Sequence, residues 1–218
     1  MAGIVRHERG QPRLYLIRHA AVDGTDGRCI GQTDLPLGGS GRAQCDRLAA
    51  VWQPPAESIV WCSDLTRATQ TAHALAARWR LDPSSFNVDA DLRECSFGEW
   101  DGRAWAEIEA TDGARLGAWM QEWRTMRPPG GESLPDVATR ARRMLHRIVS
   151  RSAASHVVIA HAGVLRAMLC EITGAPESAA FGFAVPHAHV SAVTVTSSPD
   201  QGRMHGTLDW LNGFLPRS

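Results

Sequence analysis

The chain has no lysine, so all 23 of its basic residues are arginine. That excludes chemistries built on a lysine Schiff base or on the lysine of a Walker A loop. Arginine offers instead a planar, permanently charged fork that matches phosphate oxygens two at a time. Charge of one sign is also lacking: 23 acidic residues balance the 23 basic ones, and no global field draws the chain to nucleic acid or to an anionic membrane. Any anion must be bound locally. The five cysteines (Cys29, Cys45, Cys62, Cys95 and Cys170) are odd in number and form no C-x-x-C pair, which argues against a disulfide framework or a zinc knuckle. No apolar run approaches the roughly 18 residues of a membrane span, and Met1–Pro12 carries three charges where a signal peptide would be apolar. These absences lead us to expect a cytoplasmic protein with a flexible tail over 1–12 and a single domain over 13–218.

What is present is an alternation of short apolar runs and helical patterns. Leu14–Ile17, Ser58–Cys62 and His156–Ala160 read as strands, and shorter strands are expected at 190–196 and 207–211. Helical spacing predicts helices over 40–52, 65–79, 134–150 and 163–172. Residues 86–94 look extended. The segment from Trp100 to Trp123 holds four of the eight tryptophans in a weak pattern that reads as a helical excursion or a lid, and 100–133 is expected to be a lid or insertion. Strands alternating with helices predict an α/β/α sandwich around a mixed, mostly parallel sheet.

Three of these strands stop at polar groups: Arg18-His19, Ser63-Asp64-Leu65-Thr66-Arg67 and His161-Ala162-Gly163. In open α/β sheets ligands bind beyond the carboxyl ends of strands, so the three turns should converge. With Glu94 from Leu92-Arg93-Glu94, they would assemble two arginines, two histidines and a carboxylate. Such a set suits phosphoryl transfer, where positioning and electrostatics dominate catalysis.

Leu16-Ile17-Arg18-His19-Ala20, Ser63-Asp64-Leu65-Thr66-Arg67-Ala68, Leu92-Arg93-Glu94 with Phe97-Gly98-Glu99-Trp100, and His161-Ala162-Gly163 resemble, in this order, the motifs of the histidine phosphatase superfamily, also called phosphoglycerate mutase-like. The resemblance runs from about residue 13 to the last strand and implies a three-layer α/β/α fold. It implies that His19 is a nucleophile phosphorylated on Nε2, and that Arg18, Arg67 and His161 hold the phosphoryl oxygens. Glu94 would serve as general acid and then general base, with Glu99 its competitor. No metal and no cofactor are implied.

Cys29–Leu37 and Pro128–Ser133 are similar to the branch containing α-ribazole phosphatases of cobalamin biosynthesis, and place Arg28, Gln32 and Thr33 as phosphate- or substrate-binding candidates. The expected partner is a small phosphorylated substrate. A homodimer is left open, as are a broad sugar or nucleotide phosphatase, a phosphoglycerate mutase and a non-catalytic phosphate-binding module. The mutase is disfavoured because Arg-His-Ala-Ala-Val-Asp replaces the mutases' Arg-His-Gly-Glu start. The tryptophans of 100–123 could pack a core or face a ring-bearing leaving group. A metal site made from His187, His189, His19, His161 and Asp64 is the remaining rival.

Overall fold

The computed structural model describes residues 11–197 and 204–213; nearly all of the expected tail lies outside the described residues. Six strands form one sheet: β1 (Arg13–Arg18), β2 (Ile59–Cys62), β3 (Asn87–Val88), β4 (Ser155–Ala160), β5 (Val190–Ser197) and β6 (Met204–Gly213). Their spatial order is β3-β2-β4-β1-β5-β6. The first four run parallel, whereas β5 pairs antiparallel with β1 and with β6, which makes the sheet mixed as expected.

The period of two along the strands decides the layers. Leu14 and Leu16 on β1, with Val158 and Ala160 on β4, pack in one cluster against α4 (Leu134–Val149) and α5 (Ala162–Thr173). Tyr15 and Ile17, with Val157 and Ile159, point the other way into a cluster with α1 (Gly39–Val51) and α2 (Thr66–Trp79). Every residue of β4 is buried, as a central parallel strand covered on both faces requires.

One region departs from the sequence reading, and a second takes its helical alternative. Residues 86–94 are extended only at β3; Asp89 then accepts a hydrogen bond from the Asp91 amide at 2.9 Å and turns 90–92 into a 3-10 helix. The weakly patterned segment contains α3 (Trp105–Glu122), which is interrupted at Asp112 by non-helical backbone. Its rings build a small separate core of Trp100, Ile108 and Leu116, with Phe97, Trp105 and Trp119 packed against it. No helix among the described residues is long and apolar enough to cross a membrane.

Candidate active site

Register explains why two distant histidines meet. Arg18 on β1 is aligned with Ala160 on the adjacent parallel β4, so His19 and His161 are the next residues on neighbouring strands. Parallel strands lie about 4.8 Å apart, and the two imidazole centroids are separated by 4.8 Å. Both rings are buried, His19 at 5% exposure and His161 at 0%.

Each imidazole is tethered so that one nitrogen is left to act. His19 Nδ1 donates to the Ala20 carbonyl at 2.8 Å, which makes Nε2 the lone-pair nitrogen of the neutral ring. Arg67 Nε donates toward this Nε2 and toward His161 Nδ1, at 3.3 Å each. His161 in turn donates from Nε2 to the Ser63 hydroxyl at 2.8 Å. Burial, then the Arg67 guanidinium, pushes the His19 pKa well below 6.5; burial and then His19 and Arg67 do the same for His161. Both rings are therefore neutral near pH 7.

Arg67 is 1% exposed at the start of α2 and donates to the carbonyls of Thr33 (2.8 Å) and Gly31 (2.5 Å) through its two terminal nitrogens. Arg18 donates to the Val185 carbonyl at 2.9 Å, but its Nε is buried with no acceptor among the described residues. An unmet donor of this kind costs roughly 1–3 kcal/mol, more when charged. Burial lowers the pKa of both guanidiniums without threatening their charge.

Glu94 enters from the other side. Its Oε1 accepts from the Cys95 and Gly163 amides at 2.9 Å each, the latter in the first turn of α5, while Oε2 makes no hydrogen bond among the described residues. A Cβ on residue 163 would lie 2.3 Å from Oε1, so the glycine of His161-Ala162-Gly163 is what lets the carboxylate sit there. Glu99 is exposed, its amide donating to the Pro129 carbonyl at 2.9 Å, and is no part of this cluster.

The other three candidates are engaged within the protein. Arg28 is exposed and donates to the Gly102 carbonyl at 2.9 Å. Gln32 Nε2 donates to the Glu94 carbonyl at 3.0 Å, and the Thr33 hydroxyl donates to Asp101. Asp64 forms a bidentate pair with Arg93 at 2.8 and 2.6 Å, and no group of three or more His, Cys, Asp or Glu side chains among the described residues is arranged to hold a metal ion. His189 Nδ1 contacts the His187 carbonyl at 2.9 Å.

Four contributors were not assigned to the phosphoryl site from the sequence. Asp101 accepts from the amides of Gly31, Gln32 and Thr33 and so shapes the loop that grips Arg67. Arg140 on α4 donates to the carbonyls of Asp91, Arg93 and Glu94 and pairs twice with Glu132, whose Oε2 also accepts from the Ser96 amide at 2.9 Å. His187, considered above only as a metal ligand, stands edge-on to His19 at 5.0 Å with its Nδ1 2.9 Å from the His19 carbonyl oxygen. For Asp101 and Arg140 the only signal in the sequence is their polar character, which is shared by dozens of others.

A family model described as histidine phosphatase superfamily (branch 1) matches residues 14–206. The chain belongs to this superfamily. It is 35% identical over 174 residues to a glucosyl-3-phosphoglycerate phosphatase of Mycolicibacterium vanbaalenii, covering 75% of each chain. It is 28% identical over 185 residues to the adenosylcobalamin/alpha-ribazole phosphatase of Escherichia coli, covering 84% of this chain and 90% of that one. The crystal structure of the alpha-ribazole phosphatase from Shigella flexneri superposes with a TM-score of 0.80 at 27% identity, covering 92% of this chain and 96% of that one. The three-layer, phosphoglycerate mutase-like fold and phosphatase activity expected from the motifs accord with this membership.

Proposed function

We propose that the enzyme hydrolyses small phosphomonoesters through a phosphohistidine at His19, without a metal. The observation that carries this reading is the tether from His19 Nδ1 to Ala20, which leaves a buried, neutral Nε2 beside the Arg67 guanidinium. Nε2 attacks phosphorus as the ester P–O bond breaks; Arg18 and Arg67 offset the charge on the phosphoryl oxygens, and the neutral His161 ring bounds their pocket. Glu94 gives a proton from Oε2 to the departing alcohol oxygen. As carboxylate it then takes a proton from water, the water oxygen bonds to phosphorus, and the P–N bond breaks to restore His19 and release phosphate. Arg28, Gln32 and Thr33 act in this scheme by holding Gly102, Glu94 and Asp101, which lie on neighbouring segments, rather than by touching phosphate.

α-Ribazole 5′-phosphate is the substrate we favour, on the Cys29–Leu37 and Pro128–Ser133 motifs and on the enteric relatives; glucosyl-3-phosphoglycerate is the second reading, favoured by the higher identity to the mycobacterial enzyme. A cytoplasmic location is supported by five free cysteines, four of them buried. The test is phosphate release in EDTA from a panel containing both esters and 3-phosphoglycerate. Release by the native enzyme and none by His19→Asn supports the proposal; dependence on added metal, or activity surviving in His19→Asn, refutes it.

A further inference from the structure

A cavity of about 620 Å³ opens directly beside Glu94, and its mostly apolar lining includes four aromatic rings. Phe97 and Trp119 form its inner wall, their centroids 5.9 Å apart, and both are rooted in the small core under α3. Trp123 and Phe181 meet edge-on at 4.7 Å and, with Met120, complete the wall; Met120 and Phe181 are 64% and 63% exposed. Large apolar side chains left in water around a concave site mark a binding surface.

The polar groups lining the cavity are few, and much of their hydrogen-bonding capacity is used within the protein. Both oxygens of Glu132 are taken by Arg140, and one by Ser96 as well. Arg166 donates from Nε to the Phe183 carbonyl at 3.0 Å and spreads its guanidinium 4.9 Å over the Phe181 ring. Glu94 commits Oε1 to two amides. A polyol would set its hydroxyls against an apolar wall that offers them few partners, and each one buried without a partner costs roughly 1–3 kcal/mol. A flat ring would meet the faces and edges of Trp119, Trp123 and Phe181 and the Arg166 plane.

We propose that this cavity is the leaving-group subsite and that it selects phosphomonoesters of alcohols bearing an aromatic or heteroaromatic ring. This rests on the reading of His19 and Glu94 given above, since it is Glu94 that joins the cavity to the phosphoryl site. Residues 100–133 thereby contribute a specificity wall as well as a core.

The test compares 2-(1-naphthyl)ethyl phosphate with glycerol 3-phosphate and glucose 6-phosphate, all esters of alkyl alcohols, so that leaving-group reactivity is similar. The ring ester should be favoured in kcat/KM by roughly tenfold or more. Phe181→Ala and Trp123→Ala, at the rim where folding is not at stake, should erase most of that preference while leaving the inhibition constant of inorganic phosphate and turnover of glycerol 3-phosphate within about twofold. Equal kcat/KM for ring and polyol esters, or losses shared equally by all three, would overturn it. Binding of 2-(1-naphthyl)ethanol, followed by tryptophan fluorescence, separates the two proposals. Saturable binding that Phe181→Ala abolishes supports the subsite even if no ester turns over, and its absence in the native enzyme counts against the subsite even if hydrolysis through His19 is proved.

Discussion

Gly163 and Glu94 are fitted to one another: the Gly163 amide donates to Oε1 at 2.9 Å, and any Cβ at 163 would stand 2.3 Å from that oxygen. The contact involves the carboxylate and the first turn of α5, so a methyl group there must push the acid away. Gly163→Ala is expected to lower kcat by about 100-fold, comparable to removing a general acid by Glu94→Gln, with little change in Tm. Steady-state kinetics and thermal unfolding check this together. A Gly163→Ala enzyme with native kcat would show that Glu94 is not placed for proton transfer.

Arg140 ties the Glu94 segment to α4 through five hydrogen bonds, two of them to Glu132. Arg140→Ala would strand the half-buried Glu132 charge and three carbonyls, and breaking such a pair costs about 3–5 kcal/mol. The double variant Arg140→Met with Glu132→Met should recover part of that loss. Denaturant unfolding measures both; a double variant no more stable than the single one would mean that the carbonyl contacts, rather than the ion pair, set the cost.

Three histidines face the phosphoryl site in their neutral form, and the sign of the pH dependence follows. Burial pushes His19 and His161 well below 6.5, and burial together with the nearby Arg18 takes His187 down to about 4. Below pH 6.5 the unfolded chain binds protons that the folded chain refuses. The stabilisation is therefore complete above 6.5 and is lost as pH falls from 6.5 towards 4. Tm should drop across that window, and more shallowly in His187→Asn. Parallel Tm profiles for the two proteins would show that His187 does not contribute.

Arg67 places one N–H between two imidazole lone pairs while its other nitrogens hold the Gly31 and Thr33 carbonyls. Lysine has a point charge and no planar fork, so it cannot satisfy both carbonyls and both rings. Arg67→Lys is expected to reduce kcat/KM by roughly 100-fold or more, as loss of a donor to a developing charge does elsewhere. Vanadate inhibition should weaken in parallel; a selective loss in KM with vanadate affinity intact would instead place Arg67 at the leaving group.

What was legible in the sequence was local. His19, Arg67 and His161 each follow an apolar run at a strand's carboxyl end, and strand topology carries such positions to one edge whatever the loops do. The framework that aims them was not legible. Asp101 reaches loop 31–33 across some 70 residues, and Arg140 meets Glu94 only because α4 packs beside that turn, contacts that no spacing rule encodes. The helix α3 was legible only as one of two alternatives: Thr111, Asp112, Gly113 and Gly117 weaken its pattern, and the backbone does leave helical geometry at Asp112. At 86–94 the extended reading holds only at 87–88, because Asp89 caps a turn after them.

The central claim is covalent, and rapid-quench trapping tests it most directly. The native enzyme, mixed with an excess of radiolabelled phosphomonoester and stopped in alkali during turnover, should carry an acid-labile, alkali-stable label on the peptide containing His19 and none in His19→Asn. Phosphate release without label at His19, or label mapped to His161 instead, would contradict the account.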